Sequence, residues 1–106
     1  MTTTVVEMVT YQLKPETSEA EFAATHEPVN AWLKKQDGFL YRSVSADHNG
    51  VLHDLAYWQN METAKTAGDA FMESVEGQAL CGLINMDSCI MRHMAVQTEA
   101  MICEEA

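Results

Sequence analysis

The stretch GFLYRSVSADHNGVLHDLAYW, Gly38 to Trp58, sets two runs rich in aromatic and apolar residues on either side of Asn49 and Gly50. Asn-Gly favours a two-residue type I′ turn, because both residues accept a positive φ at little cost. The stretch therefore reads as a hairpin of strands two and three. If that turn sets the register, Asp47 faces Leu52, Ser45 faces Asp54, Ser43 faces Ala56 and Tyr41 faces Trp58. Alternation then puts Tyr41, Ser43, Ser45, Asp54, Ala56 and Trp58 on one face, and Arg42, Val44, Ala46, His53, Leu55 and Tyr57 on the other. Both faces mix polar and apolar residues, so the pattern leaves open which one meets the helices.

Working outward from the hairpin, the segment before it starts with TVVEMVTYQL, Thr4 to Leu13, whose β-branched and aromatic content predicts strand one. KPETS follows, with a proline and helix-start chemistry. Ser18 and Glu21 fit a capping box, and Phe22, His26, Val29 and Leu33 recur at spacings that form one helical stripe. Pro28 lies inside this helix, without the N–H that would reach Ala24, and predicts a bend. Lys34, Lys35 and Gly38 mark its end.

After the hairpin, Asn60 caps a second helix with the apolar stripe Met61, Ala64, Ala67 or Gly68, Phe71 and Val75. A short helical turn is expected around Gln78 to Leu83, then strand four over Ser88 to Gln97. The order is β-α-β-β-α-β, a ferredoxin-like α+β domain with two helices on one face of a four-stranded antiparallel sheet. Residues 1–106 read as a single domain, with 97–106 an acidic tail. The uncovered sheet face, with Val44, Leu55 and Tyr57, is apolar enough to predict a sheet-to-sheet homodimer.

Composition narrows the function classes. Six basic residues against sixteen acidic ones give a net charge of -10, a field that repels phosphate backbones and anionic lipid heads. Nucleic acid and membrane partners are disfavoured. The start, MTTTVVEM, has neither the basic region nor the apolar core of a secretory signal. The three cysteines, Cys81, Cys89 and Cys103, have no CxxC spacing and read as inert reduced thiols, which predicts a cytoplasmic protein. Four histidines without an i, i+4 pair offer no metal motif.

The element order, the Asp37-Gly38-Phe39 run before strand two, and YWQNMETAKTAGDAF after a tryptophan-closed strand three resemble the antibiotic biosynthesis monooxygenase group of dimeric α+β barrel proteins. The resemblance covers Val5 to Val96. It implies a cavity between each subunit's sheet and helices, and in some members oxidation of a phenol to a quinone by molecular oxygen without metal or flavin. It also implies a pocket tryptophan, matched by Trp58. The asparagine those members carry four residues earlier is Asp54 here, and a tyrosine six residues later is Ala64. Haem-degrading members carry a histidine late in helix two, and SVEGQALCG has none.

The leading expectation is a cofactor-independent monooxygenase acting on a small aromatic or polyketide-like phenol. Asp54 is its base and His26 its orienting donor. Trp58, Tyr41, Ser43, Phe22 and Phe71 form its binding surface. Two alternatives stay open: an isomerase or cyclase using the same base, and a dimer that binds or builds without chemistry. On the bland reading Asp54 pairs with Ser45 at a solvated hairpin end, Trp58 plugs the core, and His26 is a hydrogen-bonded core residue. The eight methionines could line an adaptable hydrophobic pocket, with core filling the default reading. Arg42 and Arg92 could steer an anionic substrate, but are expected instead to rim the dimer interface, with His53 and His93 at or near that face.

Overall fold

The computed structural model describes residues 3–102. Its elements are β1 (Val5–Leu13), α1 (Glu19–Ala23), α2 (His26–Lys34), β2 (Phe39–Ala46), β3 (Leu52–Trp58), α3 (Met61–Glu73), α4 (Val75–Cys81) and β4 (Ile84–Ala95). The four strands form one antiparallel sheet in the order β2-β3-β1-β4, the ferredoxin-like topology. Each crossover carries two consecutive helices, and all the helices pack on the same sheet face. Among the described residues no helix is long and apolar enough to cross a membrane.

Local chemistry accounts for the helix boundaries. Ser18 and Glu21 form the expected capping box, with the Ser18 N–H donating to Glu21 Oε1 at 2.9 Å and the Glu21 N–H to Ser18 Oγ at 3.1 Å. Instead of one bent helix, the chain breaks at Ala24 and Thr25. Pro28 cannot donate to Ala24, and the break moves it into the first turn of α2, where an N–H needs no helical acceptor. The buried Thr25 hydroxyl closes the junction by donating to the Phe22 carbonyl at 2.7 Å.

Asn60 caps α3 as expected, accepting the Thr63 N–H at 2.8 Å. Here α3 ends earlier than its apolar stripe suggested. Ser74 is extended (φ -80, ψ 155) and serves both helices. Its hydroxyl donates to the Phe71 carbonyl at 2.7 Å and accepts the Gly77 N–H at 2.9 Å. Val75 consequently starts α4 at 80% exposure, rather than completing the α3 stripe. Strand β4 begins at Ile84, four residues before the expected Ser88, because Gln12 and Leu13 pair with Asn85 and Ile84 beyond an irregularity in β1.

The hairpin register differs from the expected one by a single residue. Ala46 pairs with Leu52, Ser45 with His53, Val44 with Asp54, Ser43 with Leu55, Arg42 with Ala56 and Tyr41 with Tyr57. Five residues, 47–51, connect the strands. Asp47 organises this loop: its Oδ1 accepts the Asn49 and Val51 N–H groups at 2.9 and 3.0 Å, and Gly50 takes φ +79. Since side chains alternate, the slip exchanges the faces of β2 while leaving those of β3 in place. Arg42 and Val44 turn toward the helices, and Tyr41 and Ser43 turn away.

The core lies between the sheet and the helices. Trp58, Tyr11 and Val29 are its largest fully buried side chains, joined by Ala56 from β3, Ala64 and Ala67 from α3, and Leu80 from α4. The expected acidic tail has no regular structure over 97–102, and Cys103 lies outside the described residues.

Candidate active site

A cavity of about 450 Å³ opens between the sheet and α2, α3 and α4. Its roof is apolar. Val29, Trp32 and Leu33 come from α2, Ala64, Ala67 and Phe71 from α3, and Leu80 from α4. The small side chains of α3 hold that helix close to the sheet, while Trp32 and Phe71 stand at a tilt of 58° with centroids 5.3 Å apart. The dimensions and lining suit one small, flat, mostly apolar molecule.

The floor is built from the inward alternation of all four strands. Glu7, Val9 and Tyr11 come from β1, Arg42 from β2, Asp54, Ala56 and Trp58 from β3, and Met91 and His93 from β4. Its polar groups form two clusters. In the first, Asp54 receives three hydrogen bonds: Arg42 Nε donates to Oδ1 at 3.0 Å, Arg42 Nη2 to Oδ2 at 2.8 Å, and the Tyr11 hydroxyl to Oδ2 at 2.9 Å. Arg42 Nη1 donates further to Asn30 Oδ1 at 2.8 Å. The Arg42 side chain is only 5% exposed and that of Asp54 14%, so this two-pronged pair is nearly dry. Burial, then the charge of Asp54 and the hydrogen bond to it, push the Tyr11 hydroxyl well above the ordinary phenol range.

In the second cluster, Glu7 and His93 are direct cross-strand neighbours, with His93 Nε2 at 2.8 Å from Glu7 Oε2. Burial raises the Glu7 carboxyl above its ordinary value of 4.5. Its contacts with His93 oppose that shift and the charge of Asp54 adds to it. Cys81 also lines the cavity, and burial raises its thiol, as it raises that of Cys89. Both cysteines are thereby kept in the protonated, weakly nucleophilic form. No group of three or more His, Cys, Asp or Glu side chains among the described residues is placed to hold a metal ion.

Trp58 adds one more polar atom. Its ring meets Phe39 edge-on at 5.5 Å, and its indole Nε1 is buried without an acceptor among the described residues. An unpaired buried N–H costs about 1–3 kcal/mol relative to a satisfied one.

Of the residues singled out in the sequence, Asp54, Trp58 and Phe71 line this cavity. Tyr41 and Ser43 do not, since the register slip turns them to the opposite face, where Tyr41 is 52% exposed against Tyr57. Phe22 is buried in the core, edge-on to Tyr11, outside the cavity lining. His26 is the first residue of α2 and stands edge-on to Phe22 at 4.6 Å, also outside the lining, because the break at Thr25 interrupts the stripe that would have carried it inward. The bland pairing of Asp54 with Ser45 is replaced by the pairs to Arg42 and Tyr11.

Arg42 and His93 face the cavity rather than the open sheet face. Glu7, Tyr11 and Trp32 complete the set that sequence reasoning missed. One signal was available: a glutamate within the β-branched run of β1, sharing its alternation with Val5, Val9 and Tyr11.

This geometry defines a class: a four-stranded antiparallel sheet in the ferredoxin-like order, roofed by helices on one face. That is the fold of antibiotic biosynthesis monooxygenase-like proteins, as solved structures bear out. SnoaB, a cofactor-independent oxygenase from Streptomyces nogalater, superposes with a TM-score of 0.67 at 16% identity, over 96% of this chain and 99% of that one. The monooxygenase from the gene ActVA-Orf6 of Streptomyces coelicolor, solved with Nanaomycin D, gives 0.68 at 20% identity over 95% and 94%. A protein named by inference as an antibiotic biosynthesis monooxygenase, from Caulobacter crescentus CB15, gives 0.73 at 19% identity over 92% of each chain. No protein-family model and no curated protein sequence matches the chain.

Proposed function

We propose that this protein is a cofactor-independent monooxygenase that oxidises a small aromatic or polyketide-like phenol to a quinone with molecular oxygen. The observation that carries the reading is an apolar cavity of about 450 Å³ lined by Trp58, whose buried indole N–H has no acceptor among the described residues. A substrate oxygen would supply the missing acceptor. The fold shared with a cofactor-independent oxygenase supports the same reading.

In the proposed reaction the phenol loses its hydroxyl proton, and the phenolate gives one electron to oxygen. The resulting radical pair combines at a ring carbon to form a peroxide. Loss of the proton from that carbon with cleavage of the O–O bond leaves a quinone and releases water. One phenol and one O2 thus yield one quinone and one H2O. Trp32 and Phe71 cover the ring from the roof, Trp58 donates to an oxygen, and Asp54 holds the Arg42 and Tyr11 donors in fixed positions. The apolar roof excludes water from the intermediates.

The Glu7–His93 pair equally suits proton-transfer isomerisation or cyclisation, the second reading. An oxygen electrode separates the two. Stoichiometric oxygen uptake with a hydroxynaphthalene or anthrone, reduced at least tenfold in Trp58→Phe, supports the monooxygenase. Undiminished turnover under nitrogen overturns it in favour of the isomerase.

We propose further that two copies pair through their open sheet faces. Val6, Met8, Leu55 and Tyr57 lie only partly covered there beside the more exposed Tyr41 and Met94. Val44, expected on that face, instead packs toward the core because of the register slip.

A further inference from the structure

The registers place Arg42, Ala56, Glu7 and His93 in one row across the four strands, with Asp54 in the adjoining row. At about 4.8 Å per strand the row spans about 14 Å, the width of a fused-ring substrate. We propose that the Glu7–His93 pair is the proton acceptor of this cavity, with His93 taking the substrate's proton and Glu7 holding the imidazolium that results. The assignment deepens the monooxygenase reading and rests on it for the identity of the proton's donor.

Three observations lead to this pair. First, Asp54 is already occupied, its two oxygens accepting from Arg42 and Tyr11. Protonating it would break those bonds and strand the buried Arg42 charge. Second, Glu7 Oε2 faces His93 Nε2, and His93 Nδ1 has no hydrogen bond to the described residues. With Glu7 ionised, Nε2–H donates to it and Nδ1 is left with a free lone pair.

Third, the charge of the floor depends on the proton held by this pair. Arg42 and Asp54 cancel, and an ionised Glu7 beside an unprotonated His93 would leave one negative charge in an apolar setting. The two charged residues at the mouth, Lys65 and Asp69 on α3, are exposed and cancel each other. One proton on the pair makes the floor neutral. Transfer breaks the substrate O–H bond, forms an N–H bond at His93 Nδ1, and moves the surplus negative charge onto the substrate oxygen. That phenolate is the form able to give an electron to oxygen. Burial keeps Tyr11 and Cys81 protonated, so neither competes for the proton.

The test uses para-nitrophenol, whose phenolate absorbs visible light and whose ring is too electron-poor to be oxidised, so that proton transfer is read apart from oxygen chemistry. Bound-probe absorbance is titrated without oxygen on the wild-type protein, on His93→Gln and on Glu7→Gln, with His93 protonation followed in parallel by imidazole NMR. In the wild type, probe binding is expected to protonate His93. Each variant should bind the probe with its ionisation shifted up by about one unit, a tenfold loss of phenolate at a given pH. Wild-type ionisation in both variants, or a His93 that remains neutral when the phenolate forms, overturns the assignment. Oxygen uptake that persists alongside such a result would leave the monooxygenase reading standing, whereas transfer to His93 with no oxygen uptake by any phenol would leave only the proton acceptor.

Discussion

Asp54 meets three donors, and its charge matters more than its volume. Asp54→Asn keeps the shape but leaves the Arg42 guanidinium, 5% exposed, without its counter-charge. The expected loss is about 3–5 kcal/mol of folding stability, measured by urea denaturation. Adding Arg42→Met to an Asp54→Leu background should recover most of the corresponding deficit, since removing both partners of a buried pair is far less costly than removing one. An Asp54→Asn protein within 1 kcal/mol of wild type, on the scale of an exposed pair, would mean that water screens the cluster. Asp54 was legible as a candidate because alternation places it on the same face of β3 as the tryptophan that closes the strand. Its partners were not, because Tyr11 lies 43 residues away in sequence and the facing of Arg42 depended on a register that the turn motif misstates.

The α3–α4 junction positions Phe71 over the cavity, and Gly77 is what allows the two helices to meet so closely. A Cβ at Gly77 would lie 1.8 Å from the Phe71 carbonyl oxygen. In an exposed helix interior, glycine to alanine stabilises by about 0.5–1 kcal/mol. Gly77→Ala should do the reverse, with a loss of about 1–3 kcal/mol as the junction opens, visible as a lowered Tm. An unchanged or raised Tm would refute the close approach. At this scale most elements were legible. The capping chemistry of Ser18 and Asn60 and the alternation of β1 and β3 are local signals. The hairpin was misread because Asp47, with two backbone N–H groups on its carboxylate, builds a five-residue loop around the same Asn49-Gly50 pair that elsewhere makes a two-residue turn.

At the scale of the whole molecule, the helices cover one sheet face and leave the other open. Tyr41, Ile90 and Met94 on that face are 52%, 53% and 41% exposed. Burying several hundred Å² of such surface at about 25 cal/mol per Å² favours association by several kcal/mol before association entropy is subtracted. Sedimentation velocity at micromolar concentration should give a dimer for the wild type and a monomer for Leu55→Arg, whose charge would be buried against its twofold mate. A wild-type monomer refutes the pairing. The ferredoxin-like order of strands and helices, the alternation along β3 and the acidic charge follow from the sequence alone, because hydrophobic periodicity, capping and composition act over a few residues at a time. The pairing of Glu7 with His93 across 86 residues, and the turning of Arg42 inward, were decided only in the tertiary structure, because cross-strand register depends on how every strand and loop closes together.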